Sequence, residues 1–588
     1  MKSLAPDFVV PVEPGFTFGA FRLEPDGTLL HQDAHVHVPP KELAALRLLL
    51  QNAGKIVTPK QLREALWGEV HVTEDSIPRC ISSLRARLES EECIQTIYKR
   101  GYRLMWPVHR SDATTESILP RLAIVPFAGG TNVPEHLGQA VAEEATARLT
   151  AARPQVFSML ARDSVFALTA QHMSAQQVGE ALKADLVLTG TVQALASKYR
   201  LRAEMVRIQD GTQIWVEDVL VAQDQAAGLE SKLVERLMFR AGCESALPAA
   251  QDAGIDPHAY DIFLRGRYEW QTLDRHRMQE GMRHLHHAAE LDPNLTQAHA
   301  ELVRACIAQE LFGFMSPATA AELVRSFAQR LPAHSVEHDA ILPGLGWIAF
   351  HVDRDLGAAL RAFDRGASLP FDPWRARMRG LLAASRHRFD EALDLLQASL
   401  KVDPYSPWIN ASLAWVYHLA GNAPQSVLQI ERCLEHSADH AATRVFGGII
   451  LAFNGDVRRA AELTTGLERQ APYFDMATAV RAYALACKGE REQAEEWLER
   501  LQWLARERYM MRSFTAAAYV ALGDHEGAMA ELRAANEERC PWFFQMLADP
   551  CLGALREIPE FRQMRALLEG MESAGEPHVG EAADPDAK

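Results

Sequence analysis

The sequence predicts a multidomain chain with three architectures in series: a small α+β unit, a mixed α/β unit, and a long all-α array of helix pairs. Three observations predict it. A run of cations free of acids lies near the N-terminus, strand and helix textures alternate in the segment that follows, and glycines then recur every 34 residues in the C-terminal half.

The 588 residues exceed what one hydrophobic core can organise. No apolar run reaches the roughly 20 residues of a membrane-spanning helix, and the opening MKSLAPDFVVPVEPG makes a poor export signal, so no membrane and a cytoplasmic location are expected. Eight scattered cysteines form no CxxC pair, which gives no zinc or disulfide framework. The net charge of −16 is unevenly spread. Residues 16–110 hold 13 Lys/Arg against 11 Asp/Glu, and the remainder holds 48 against 66. If a polyanion is bound, the first hundred or so residues must bind it.

Phe16–Val38 alternates in short stretches broken at Pro25-Asp26-Gly27 and near Asp33, which predicts a small antiparallel sheet. After Pro39-Pro40, Leu43, Leu46, Leu49 and Leu50 recur at helical spacing until Gly54. Thr58-Pro59 opens a second helix carrying Leu62, Ala65 and Leu66. A third, about Asp75 to Leu88, buries Ile77, Cys80 or Ile81, Leu84 and Leu88; Pro78 is tolerated only within its first turn. Its other face presents Arg79, Ser82, Ser83, Arg85 and Arg87, with no acid between Ser76 and Leu88. Arginine at base edges and serine at phosphates suit a helix in the major groove. TIYKRGYRLMWPV then reads as a hairpin with Lys99-Arg100-Gly101 near its tip, able to place cations in the minor groove.

PPKELAALRLLLQNAGKIVTPKQLREALWG, ISSLRARL and IYKRGYRL together resemble the OmpR/PhoB-type winged helix, over residues 16–108. The resemblance implies that Pro59–Leu66 positions and Asp75–Leu88 reads the DNA. It implies DNA contacts from Thr58, Lys60, Arg79, Ser82, Ser83, Arg85, Arg87, Lys99, Arg100, Tyr102 and Arg103. The segment containing Trp67, Glu69, Val70 and His71 matches a loop that in some relatives touches RNA polymerase. Dimers or tandem copies on direct repeats of double-stranded promoter DNA are implied as well. Only about 15 residues precede this unit, so a phosphorylated receiver is not expected, and the polar 109–120 is read as a linker rather than a membrane anchor.

Residues 121–225 read as a mixed α/β unit. RLAIVPF and QVFSML are strands, Leu137–Ala152 and Ala175–Lys183 are helices, and three strands follow, split at Ser197-Lys198 and Gln209-Asp210-Gly211. Ala184-Asp185, Gly190-Thr191-Val192 and IQDGTQIW resemble the TolB N-terminal-like domain, which implies a fold and no defined role. The turn Phe127-Ala128-Gly129-Gly130-Thr131 lacks the Lys-Ser/Thr of a phosphate-binding loop and reads as a plain βα turn.

Gly421, Gly455, Gly489 and Gly523 stand 34 residues apart, with His387 and Asp353 continuing the register backwards. Small residues lie seven before each (Gly346, Gly380, Ala414, Gly448, Ala482, Ala516) and five after (Ala358, Ala392, Ser426, Ala460, Ala494, Ala528). Small residues let antiparallel helices approach, and glycine permits the turn between them. The pattern resembles the tetratricopeptide repeat: six units in register, with repeats over 339–570, irregular ones over 256–338, and a disordered tail at 571–588. Stacked repeats expose a concave face that takes a protein or peptide.

No nucleophile elbow, HExxH, Walker motif or kinase set is present, so neither catalysis nor a cofactor is expected. His35 and His37 on one strand face, and His284, His286 and His287 on a helix, read as surface rather than metal ligands. The layout resembles HilA-type and CadC-like regulators, which implies a transcription regulator, and activation rather than repression. A repeat scaffold whose winged helix contacts protein is the alternative; it has no use for an acid-free basic face.

Overall fold

A computed structural model of the chain describes residues 15–23, 28–31, 34–36, 38–67, 76–88, 90, 92–98, 100–111, 119–152, 156–241, 255–271, 275–333, 335–365, 371–465, 467 and 475–575. Two compact units result, Phe8–Leu119 and one formed mainly by Pro120–Lys588.

The first unit opens on β1 (Gly15–Phe18), β2 (Phe21–Leu23), β3 (Leu29–His31) and β4 (Ala34–Val36), a meander of antiparallel pairs. Helices α1 (Pro40–Gln51), α2 (Pro59–Trp67) and α3 (Ser76–Arg87) follow, then the hairpin β5 (Ile94–Ile97) and β6 (Gly101–Leu104). Leu46, Leu49 and Leu50 of α1 pack against Ile77, Ile81 and Leu84 of α3, all buried in one core. A strand not anticipated, β7 (Val108–Ser111), returns to pair with β1 and gives the order β4-β3-β2-β1-β7. Residues expected to start a linker at 109 are therefore sheet.

In the second unit, β8 (Arg121–Ile124) and β10 (Ser158–Met159) run parallel, with α4 (Leu137–Ala151) between them in sequence. Helices α5 (Arg162–Ala170) and α6 (Ala175–Ala181) lead to β11 (Leu186–Leu195), β12 (Lys198–Arg207) and β13 (Gln213–Ala222). These three ten-residue strands are antiparallel, and their turns fall where the polar breaks predicted them. The short β9 (Ala128–Gly129) pairs with β11. Helix α7 (Leu229–Arg240) continues the unit past 225 and covers the sheet with Leu233, Val234 and Leu237.

The helical half begins with two pairs, α8 (Pro257–Trp270) with α9 (Arg275–Leu291) and α10 (Thr296–Leu311) with α11 (Pro317–Ala328). Six pairs in register follow: α12 (Val336–His351) with α13 (Leu356–Arg365), α14 (Pro373–Ser385) with α15 (Phe389–Val402), α16 (Pro407–Leu419) with α17 (Ala423–Ser437), α18 (Ala441–Phe453) with α19 (Val457–Thr464), and then Asp475–Cys487 with Arg491–Glu507 and Arg512–Ala521 with His525–Glu537. Gly421, Gly455, Gly489 and Gly523 each take positive φ, between 76° and 92°, at the turn inside a pair. His387 takes the same conformation without being glycine. The close approach is literal at Gly448, where a Cβ would stand 2.5 Å from Thr464 Cγ2. The first turn corrects the expected register. Arg354, not Asp353, has positive φ, and Ala359 rather than Ala358 is buried. One extra residue in that turn shifts the contact, so Gly346 faces the Ala359 carbonyl while Gly380 faces that of Ala392.

Beyond the last pair the chain turns inward. Trp542 is buried against Trp415, Phe446 and Phe514, and its indole N–H donates to Leu311 O at 2.9 Å. Gln545, fully buried in helix Phe543–Ala548, accepts from Trp415 Nε1 at 2.6 Å and donates to Ser385 Oγ at 3.0 Å. His418 and Asp549 meet at 3.0 Å. Much of the inner face lined by α10, α14 and α16 is thus filled by the chain itself. Helix Pro559–Gly575 overruns the tail expected from 571, and the rest of that tail lies outside the described residues.

The α/β part is joined to the repeats through charged groups. Arg267 pairs with Glu143 at 3.3 Å and Glu144 at 3.1 Å. Farther along, the Ser164 backbone N–H and hydroxyl donate to Asp403 Oδ1, the former at 2.9 Å, and Tyr405 N donates to Ser164 Oγ at 2.8 Å. Burial, then the charge of Asp163, push the Asp403 carboxyl up to about 7.

Two outcomes are expected. Gly448→Val should cost about 1–3 kcal/mol by overpacking, whereas Gly421→Ala, open on its Cβ side, should cost about 1–2 kcal/mol from left-handed strain alone; denaturant titration of the full chain checks the order. Because the native Asp403 pKa lies above its ordinary value, ionisation works against the fold. The wild type should lose stability relative to Asp403→Asn as pH rises from about 4 to about 7, read as the difference between their melting points.

Candidate nucleic-acid interface

Helix α2 starts where the expected cap stands. Thr58 N donates to Gln61 Oε1 at 2.9 Å, and Gln61 N donates to Thr58 Oγ1 at 3.3 Å, a reciprocal capping box. Thr58 is exposed, but its hydroxyl also donates to Gln61 Oε1, so its first role is to start the helix. Lys60 is exposed one residue into α2, at the positive end of the helix dipole.

Helix α3 buries Ile77, Cys80, Ile81 and Leu84 and leaves Arg79 and Ser82 exposed, with Ser83 and Arg87 half-buried. Arg85 departs from the expected reading side. Its Nε donates to Ile94 O at 3.1 Å and its Nη2 to Thr96 Oγ1 at 2.8 Å, so its fork is committed to β5. The periodicity placed it on the polar side of α3 without showing that the hairpin would fold back over that position.

A second tie holds the hairpin. Val57 N donates to Tyr102 O at 2.8 Å and Tyr102 N to Val57 O at 3.0 Å, fixing β6 beside the start of α2. The strand can come this close because residue 101 is glycine: its φ is 138°, and a Cβ there would stand 2.1 Å from Val57 O. Burial raises the Tyr102 hydroxyl pKa, opposed by the Arg85 charge, so the phenol stays a neutral hydrogen-bonding group.

The start of α2, the exposed side of α3 and the hairpin are therefore gathered by Arg85 and Tyr102. Lys60, Arg79, Ser82 and Arg100 are exposed on these elements, and Arg103 is half-buried on β6. Tyr98, 83 % exposed before the hairpin tip, was not singled out in the sequence; an aromatic residue flanking Lys99-Arg100 was the available signal. Lys99 lies outside the described residues, as do Glu69, Val70 and His71 of the expected polymerase-contact loop; Trp67 ends α2, and nothing is described of its side chain.

Residues 33–104 match the domain family described as Transcriptional regulatory protein, C terminal. The chain is 25 % identical over 478 residues to the Transcriptional regulator HilA of Salmonella typhi, spanning 77 % of this chain and 83 % of that protein. It is 27 % identical over 192 residues to the Putative adenylate cyclase 3 of Rhizobium meliloti, spanning 31 % of this chain and 32 % of that protein. A solved tetratricopeptide repeat protein from Parabacteroides merdae aligns with 46 % of this chain and 98 % of its own, at 15 % identity and a TM-score of 0.29.

The two arginines should separate by their contacts. Arg79→Ala should leave the melting point of the first unit unchanged and weaken DNA binding about tenfold or more. Arg85→Ala should lower that melting point, because the Ile94 carbonyl and Thr96 lose their donor; calorimetry beside a DNA titration reads both.

Proposed function

We propose that the chain is a sequence-specific DNA-binding transcription regulator in which α3 enters the major groove and the hairpin contacts the adjacent minor groove. The observation that carries this reading is the exposed Arg79 and Ser82 on an acid-free helix, clamped by Arg85 to a basic hairpin within a domain matching a transcription-regulator family. The extended similarity to HilA supports assigning the role to the whole chain rather than to one domain.

Lys60, at the head of α2, and Arg100, at the hairpin, anchor phosphates, and Arg79, with Ser82 beside it, reads bases. Thr58, Ser83, Arg87, Lys99, Tyr102 and Arg103 complete the proposed contact set; Arg85 serves it by positioning. Activation, through polymerase contact at Trp67–His71, and binding of dimers or tandem copies to direct repeats are parts of the same proposal. Catalysis is not: no catalytic motif stands in the sequence, and the similarity to the putative cyclase spans 32 % of that protein. No described helix is long and apolar enough to cross a membrane, which is consistent with work at the chromosome.

Genome-wide occupancy of the intact protein beside an Arg79→Ala/Lys60→Ala variant tests the reading. Discrete peaks sharing a repeated motif, lost in the variant, are expected. Absence of peaks, with the chain instead recovering stable protein complexes, would favour the scaffold alternative.

A further inference from the structure

The corner between β10 and α5 faces helices α10, α14 and α16 of the repeats. A cavity of about 610 Å³ remains there, between Met159–Asp163 and helices α10, α14 and α16. Its volume is that of sites for small organic ligands, and the α/β part forms one of its walls.

Its walls mix apolar and aromatic side chains, Trp270, Ile307, Leu311, Trp374 and Trp408, with charged ones, among them Arg162 and Arg304. The acids around it are already engaged. Glu301 accepts from Trp270 Nε1 at 3.1 Å and pairs with Arg304 at 3.4 Å. Asp372 caps α14 through the backbone N–H groups of Trp374 and Arg375, both at 3.2 Å. Asp163 pairs with Arg162 at 2.8 Å, and Asp403 accepts from Ser164.

Arg377 is the exception. It lines the cavity from α14, is 6 % exposed, donates through Nε to Ser412 Oγ at 2.9 Å and lies 5.5 Å from the Trp408 ring centre. Among the described residues no carboxylate stands within ion-pair distance of it. Burial pushes its guanidinium down to about 10, opposed by the charge of Asp163, so it remains a cation at neutral pH. Ser412 and the Trp408 ring are neutral partners, so the buried charge itself is left uncompensated, which is costly, and an apolar side chain in its place would relieve that cost. The place of Arg377 in the wall of this cavity, with no carboxylate beside it, suits an anion supplied from outside.

We propose that this cavity binds a small organic carboxylate, its anionic group paired with Arg377 and its apolar body held between Trp374 and Trp408. Its role as a regulatory input rests on the regulator reading above, whereas binding itself does not.

Calorimetric titration of the full chain with two matched pairs, 1-naphthylacetate with 1-naphthylacetamide and decanoate with decanamide, tests this. At least one acid should bind ten times more tightly than its amide. Arg377→Met should abolish that preference, Arg377→Lys should keep part of it, and ligand-free Arg377→Met should melt no lower than the wild type. Equal binding of acid and amide, a preference that survives Arg377→Met, a lower Arg377→Met melting point, or no binding of any probe at millimolar concentration would overturn the proposal. All four titrations omit DNA, so failure here leaves the DNA-binding reading standing, and failure of that reading leaves these outcomes unchanged.

Discussion

A chain with a net charge of −16 can approach a polyanion only if its cations are set apart from its acids and held where the approach occurs. The first unit meets this constraint by local arrangement more than by bulk charge. Its excess of cations is slight, but α3 carries no acid at all, and the hairpin beside it adds Arg100 and Arg103. The ties at Arg85 and at Val57–Tyr102 turn scattered charges into one surface, with each arginine in a different task. Arg85 spends its fork inside the fold, while Arg79 is left to the solvent.

The acidic remainder uses its charges internally. Glu143 and Glu144 with Arg267, and Arg162 through Gln271, join the α/β part to the first helix pair, and Ser164 with Asp403 does so at the fourth. Desolvation pushes the Glu143 carboxyl up, but Arg162 and Arg267 beside it outweigh that and hold it below the usual carboxylate range. The C-terminal segment adds Trp542 and Gln545 to the inner face. Along the residues described, the repeats are therefore less an open groove for a passing peptide than a shell around the chain's own end, with a cavity at the junction.

Elements specified by local chemistry were legible in the sequence. The Thr58 cap, the buried stripe of α3, the turns between β11, β12 and β13, and the glycine turns of the repeats all depend on neighbours a few residues away. Elements completed by distant partners were not. Strand β7 exists because β1 offers an edge some ninety residues earlier. The Arg354 turn gained one residue, and only three-dimensional packing shows that Ala359 replaces Ala358 at the contact. Arg85 reads as one more cation until Ile94 is seen behind it. The inward turn of Trp542 follows no period at all.

On the proposed reading, the first unit alone supplies the electrostatics of DNA binding. The salt dependence of affinity measures this directly, since its slope counts the phosphates neutralised. The same slope of log K against log salt is expected for the full chain and for a fragment ending at residue 119, on the same operator. A steeper slope for the full chain would place DNA contacts in the acidic remainder and contradict that reading.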